Sequence, residues 1–261
     1  MIIFLVPAYN EEENIGLLIQ RIQEKMNDLG YQYRMIIVDD GSTDGTKAVV
    51  QHAAVEAPIE LLSYFPNRGV GEAFRVGFRH AVRLARDGDI IISKEADNTS
   101  DLGILDLMLS KIEDGYDLVL ASCYAETGKV VGTTWDRVIL SSGANLLCKW
   151  LLPVKGIHTF SSFYRAHKAE LLRLSYQVYG DALIEESGFA CMVEMLVKMA
   201  YLNPKIGEVP MVLRADLRSG TSKMKRWKTT RAYLRLFTKH LLSRCWHGIS
   251  SAIPLRGGRH D

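Results

Sequence analysis

The residues best suited to chemistry lie between Asp89 and Asp101, where the chain reads DIIISKEADNTSD. Ile90, Ile91 and Ile92 form a short apolar run of the kind that fills a buried parallel strand. The run ends in Lys94, Glu95, Ala96 and Asp97. Glu95 and Asp97 are two residues apart, so in continued strand geometry their side chains point the same way. Two carboxylates converging at the end of a buried strand repel each other unless a cation lies between them. Hard oxygen donors suit Mg²⁺ or Mn²⁺, above all where a substrate diphosphate completes the shell. The plainer reading is a polar turn leading to a helix that starts near Asp101.

Elements that could position these acids recur along the chain. Ile2 to Val6 is an apolar strand closed by Pro7-Ala8-Tyr9-Asn10, and Asn10 before Glu11, Glu12 and Glu13 reads as the capped, acidic start of a helix. Ile15, Leu18, Ile19, Ile22 and Met26 then recur at helical spacing. Met35 to Val38 is a second buried strand ending in acid, Asp39-Asp40-Gly41-Ser42, and Ile59 to Leu62 is a third. Asn67-Arg68-Gly69-Val70-Gly71 opens a helix reaching about Ala85, the Ile90 run is strand four, and Leu118 to Ala121 is a fifth. Strand and helix alternating at this rhythm predict a doubly wound, mostly parallel α/β sheet with right-handed crossovers. Ligands of such sheets bind beyond the carboxyl ends of the strands, where these polar clusters fall. Gly69-Val70-Gly71 could belong to a dinucleotide fingerprint, but a third glycine is missing and the turn does not follow the first strand. The other reading takes Asp39, Asp40, Glu95 and Asp97 together, as acids gripping a base and ribose and holding a metal on a diphosphate.

At this point the chain resembles the family 2 inverting glycosyltransferases. The resemblance rests on Pro7-Ala8-Tyr9-Asn10-Glu11, on Val38-Asp39-Asp40-Gly41-Ser42-Thr43-Asp44-Gly45-Thr46, and on Asn67-Arg68-Gly69-Val70-Gly71. Ser161-Ser162-Phe163-Tyr164-Arg165, Gly188-Phe189 with Glu194, Glu208-Val209-Pro210 and Gly220-Thr221-Ser222-Lys223-Met224 are similar to the acceptor side of the dolichyl- or polyprenyl-phosphate sugar transferases. What the resemblance implies is a GT-A fold over residues 1–224, with 225–261 as a basic amphipathic helix and loose tail. It implies that Asp40 reads the nucleobase, that Pro7, Tyr9, Glu11 and Asp39 surround base and ribose, and that Gly69 and Gly71 let the backbone approach the donor. Arg68 would offset diphosphate charge, and Asp97 would be the second acid of the metal motif. The chain departs from the pattern at Glu95, where an aspartate is usual, and at Thr159, where the polyprenyl-phosphate enzymes usually carry an aspartate.

The implied reaction is transfer of a hexose from a nucleotide sugar, of GDP-mannose or UDP-glucose type, to a lipid-linked phosphate. A phosphate monoester is already largely dianionic at pH 7 and needs cations rather than a base. Arg165, Arg218 and Lys223 lie in the acceptor-side segments. A hydroxyl acceptor, on a glycan or small metabolite, needs a base, and Glu185, Glu186 or Glu194 are the acids at hand. A third possibility is a sugar-nucleotide-binding subunit of low activity. His80 and His158 have no task in either transfer and read as surface or packing residues.

Composition narrows the setting. The net charge of +2 hides 13 basic against 3 acidic residues from Asn203 onward, while the rest carries 19 against 27. A basic tail on an acidic body points to an anionic partner. Trp227, Leu234, Phe237, Leu241 and Cys245 follow one helical stripe and Lys228, Arg231, Arg235 and Lys239 a neighbouring one. Such a helix docks on a membrane surface or packs on its own domain. No nucleic-acid motif accompanies the charge. Cys123, Cys148, Cys191 and Cys245 lack metal-type spacing and fit a reducing compartment. No apolar run approaches a membrane span, so the expected location is cytoplasmic, at most peripheral on a membrane.

Overall fold

A computed structural model describes residues 1–132, 145, 148–149, 156–217, 231–236 and 238 of this chain. The chain alternates as expected: β1 (Ile2–Ala8), α1 (Glu12–Leu29), β2 (Tyr33–Asp40), α2 (Thr46–Ala53), β3 (Ile59–Tyr64), α3 (Val70–Leu84) and β4 (Ile90–Ser93). A 3₁₀ turn over Leu102–Ile104, with the Asp101 carboxylate accepting from Gly103 N, leads into α4 (Leu105–Glu113). Then come β5 (Leu118–Ser122), β6 (Lys129–Val131), β7 (Arg165–Lys168), α5 (Ala169–Tyr179), α6 (Cys191–Ala200), β8 (Ile206–Pro210) and β9 (Val212–Arg214).

Seven strands form one sheet in the order β3-β2-β1-β4-β7-β5-β8, while β6 and β9 pair apart from it. The first four strands run parallel, as does β5 with β8. The sheet is nevertheless mixed, because β7 is antiparallel to both β4 and β5. The sequence gives no apolar signal for β7, which reads Arg-Ala-His-Lys with Arg165 and His167 fully buried.

Alternation along the strands divides the core. Ile3, Leu5, Ile36 and Val38 face α3, α5 and α6 through Phe74, Phe78, Leu172 and Met195. Ile2, Phe4, Val6, Met35 and Ile37 face α1 and α4 through Ile15, Leu18, Ile22 and Met108. Each apolar helix stripe therefore has a sheet face to cover, which stabilises by about 25 cal/mol for each Å² of apolar surface removed from water. Among the described residues no helix is long and apolar enough to cross a membrane.

His167 sits in the first of these layers, edge-on to Phe78, with Nδ1 3.2 Å from the Ile91 carbonyl. Burial, reinforced by the Arg165 charge, pushes its imidazole down to about 3. Between the unfolded value near 6.5 and that folded value, the unfolded chain binds a proton the native state refuses. Stability should thus fall as pH drops through this window, by up to about 1.4 kcal/mol per pH unit. His167→Gln is expected to flatten the pH dependence of the urea midpoint between pH 6.5 and 4. An unchanged slope would mean that other groups set the acid limb.

Candidate functional site

Parallel pairing brings the ends of β2, β1 and β4 to one rim. Ala8 lies opposite Asp39 and Leu5 opposite Ser93, so the loops after Asp40, Ala8 and Ser93 leave the sheet side by side. With neighbouring strands about 4.8 Å apart, the Asp40 and Lys94 ends are separated by roughly 10 Å across β1.

Hydrogen bonds tie these loops together. Asn10, in the left-handed region at φ 51°, does not cap α1 as its sequence context suggests. Its N–H donates to Ser42 Oγ at 2.9 Å and its Oδ1 accepts from Thr43 N at 2.8 Å. Glu11 N donates to Thr46 Oγ1, and Glu11 Oε2 accepts from Asn14 Nδ2 at 2.7 Å. Pro7, within β1, and Tyr9, just beyond it, are half-buried. Asp39 is buried and accepts from Ser42 N and Ser63 Oγ, each at 3.0 Å.

Asp40 is anchored by the turn that follows β3. Its buried carboxylate accepts from Arg68 N at 2.7 Å and from Asn67 Nδ2 and Gly69 N at 2.9 Å. Three donors from one turn bind this acid to the chain itself. The two glycines of this turn sit against another loop. A Cβ on Gly71 would stand 1.9 Å from the Glu186 carbonyl oxygen, and one on Gly69, at φ 96°, 2.4 Å from that of Ser187. The close backbone approach these residues permit is to the 186–187 loop, sealed by Gly71 N donating to Ser187 O. Glu194 holds that loop from behind: its buried Oε2 accepts from Glu185 N and Glu186 N, and its Oε1 pairs with Lys198 at 2.6 Å. Glu194 is therefore committed, and of the three acids only Glu185 and Glu186 border the rim. With Arg68, Glu72, Arg75 and Ser187 they line a cavity of about 210 Å³. Arg68 lies over the Tyr64 ring at 5.1 Å and stays 56% exposed.

The acid loop after β4 is held by hydrogen bonds of its own. Glu95 accepts from Ser100 Oγ at 2.9 Å, and Asp97 from Thr99 Oγ1 at 2.7 Å and Thr99 N at 3.2 Å. Burial raises the pKa of the Glu95 carboxyl, with Lys94 opposing and Asp97 adding to the rise. Lys94 is fully buried. Its Nζ donates to Ser100 O at 2.7 Å and lies 4.6 Å above the Tyr164 ring. A lysine directly after an apolar strand was the available signal. Two carboxylates are a fitting donor set for a divalent ion that takes its remaining ligands from a diphosphate and water. Among the described residues no three or more His, Cys, Asp or Glu side chains close into a full cage.

On the acceptor side, Arg165 is not offered to a ligand. Its guanidinium is buried and donates to the carbonyls of Ser162 (2.7 Å), Met192 (2.9 Å) and Phe160 (2.8 Å), and burial lowers its pKa to about 10. Thr159 is also internal, with Oγ1 2.7 Å from Ser122 Oγ and its N–H on Glu208 Oε1. His158 reaches the same Glu208 carboxylate from the surface, with Nδ1 3.0 Å from Oε2. Arg218 and Lys223 lie outside the described residues, as do Trp227, Phe237, Leu241 and Cys245 of the tail stripe. Within residues 231–236, Tyr233 and Leu236 pack on the core while Leu234 is 54% exposed, so Leu234 does not share the inward face.

Residues 3–172 match the family described as "Glycosyl transferase family 2". The chain is 28% identical to the polyprenol monophosphomannose synthase of Mycolicibacterium smegmatis, over 84% of this chain and 79% of that one. It is also 28% identical to the undecaprenyl-phosphate mannosyltransferase of Micrococcus luteus, over 97% and 99%. Among solved structures, glucosyl-3-phosphoglycerate synthase of Mycobacterium tuberculosis in complex with Mn²⁺, UDP-glucose and phosphoglyceric acid superposes with a TM-score of 0.61. That match has 21% identity and covers 97% of this chain and 81% of that one. The GT-A-like α/β fold is therefore shared.

Proposed function

The chain belongs to glycosyl transferase family 2, and from that premise we propose that it transfers a hexose from a nucleotide-sugar donor to a hydroxyl acceptor, with inversion. The observation that carries the choice of acceptor is Arg165: its guanidinium is fully buried and donates to three backbone carbonyls, so it is not presented to an acceptor phosphate. The rim cavity beside Arg68 has instead the carboxylates that a hydroxyl acceptor requires.

The donor would lie across the rim, its nucleoside against Tyr9, Glu11 and Asp39 and its diphosphate between Arg68 and the acid loop. Glu95 and Asp97 would hold Mg²⁺ or Mn²⁺, and a divalent ion there supplies positive charge to the departing nucleoside diphosphate. Arg68 supplies more of the same from the opposite side. Glu186, with its side chain 15% exposed and Arg235 3.4 Å away, is the base we assign. It takes the acceptor proton as the new C–O bond forms and the bond to the diphosphate breaks. The solved relative carries Mn²⁺, UDP-glucose and phosphoglyceric acid, which supports a nucleotide-sugar donor and a small hydroxyl-bearing acceptor.

A second reading keeps a lipid-linked phosphate as acceptor. The names of the two curated relatives favour it, and so do the 13 basic residues after Asn203, which suit peripheral contact with an anionic membrane. Incubation of the protein and Mn²⁺ with labelled GDP-mannose or UDP-glucose, polyprenyl phosphate in detergent and phosphoglycerate decides between them. Label in the water-soluble product supports the hydroxyl reading, and label confined to the organic phase rejects it. Under the first outcome, Glu186→Gln is expected to slow transfer by about 10²-fold.

A further inference from the structure

The acid loop is joined to the start of α1 by one side chain that no part of the reaction above uses. Asn98 is 6% exposed and sits in the left-handed region at φ 56°, which asparagine tolerates better than most residues. Its Nδ2 donates to the Asn14 carbonyl at 2.8 Å, a buried bond across 84 residues of sequence. Asn14 in turn donates from its own amide to Glu11 Oε2. The chain of contacts runs Asn98 to Asn14 to Glu11, from the residue after Asp97 to the loop assigned to the nucleoside. Asn98 Oδ1 is buried without a protein donor, so the side chain's one hydrogen bond is the one to Asn14 O.

We infer that Asn98 is a positioning residue, which fixes the Glu95–Asp97 loop relative to the nucleoside loop so that both ends of the donor are met in register. The inference rests on the divalent-ion reading of Glu95 and Asp97. Side chains that orient metal-holding groups typically change affinity by 10- to 100-fold when removed. Precise spacing is what such a link contributes.

Two variants separate the amide from the backbone. Asn98→Gly keeps the left-handed conformation without strain and removes the link. Asn98→Asp keeps the size but, ionised, cannot donate to Asn14 O. Binding of UDP and GDP is measured calorimetrically in EDTA and in Mn²⁺, alongside thermal unfolding. In both variants, affinity in EDTA should stay within about twofold of wild type, while the gain conferred by Mn²⁺ falls about tenfold. A wild-type Mn²⁺ gain in the variants, with or without a lowered Tm, overturns the inference. Should Mn²⁺ give no gain even to the wild-type protein, and Asp97→Ala change nothing, the divalent-ion reading itself fails and takes the inference with it.

Discussion

Asp97→Ala is expected to lower turnover by about 10²-fold or more, the usual loss when charge stabilisation of a leaving group is removed. Asp97 also accepts two hydrogen bonds from Thr99, so alanine alone would mix lost charge with a loosened loop. Asp97→Asn separates them. Its amide oxygen can still accept from Thr99 while the negative charge is gone, and the same loss is expected. The measurement is initial rate at saturating donor across a Mn²⁺ titration, with thermal unfolding beside it. Turnover near wild type in both variants would remove Asp97 from the divalent-ion site.

The second large effect is on stability. Arg165→Met is expected to destabilise the fold by roughly 3–5 kcal/mol, because two buried carbonyls and one part-buried carbonyl lose their donor at about 1–3 kcal/mol each. Relief from burying a charge offsets part of that sum. Against a total stability of about 5–15 kcal/mol this is a severe loss, readable as a lower urea midpoint. The folded fraction should keep its acceptor KM. The sequence expectation of a phosphate-binding arginine makes the opposite forecast: unchanged stability and an acceptor KM raised tenfold or more. One pair of measurements on one variant distinguishes the two.

That contrast shows where reading the chain succeeded and where it could not. β1, β2 and β4 were legible because each is a continuous apolar run buried on both faces. The acids at the ends of β2 and β4 were legible because carboxylates clustered beyond such runs need a ligand or a partner. What kind of partner was not legible. Asp40 finds its donors in Asn67 to Gly69, 27 to 29 residues further on, and the two glycines find the 186–187 loop more than a hundred residues away. β7 was missed for a related reason. Its arginine and histidine look like surface residues until carbonyls of the segment just before β7, the Met192 carbonyl of α6 and an aromatic ring enclose them.

The amino-acid order alone thus determined the strand–helix rhythm, the shared rim and the carboxylate loop after Ile92, since periodicity and local charge are properties of neighbours in sequence. Tertiary structure alone decided which polar groups remain for a ligand. A buried acid or guanidinium must be satisfied, and whether protein or substrate satisfies it depends on contacts made only when distant segments meet.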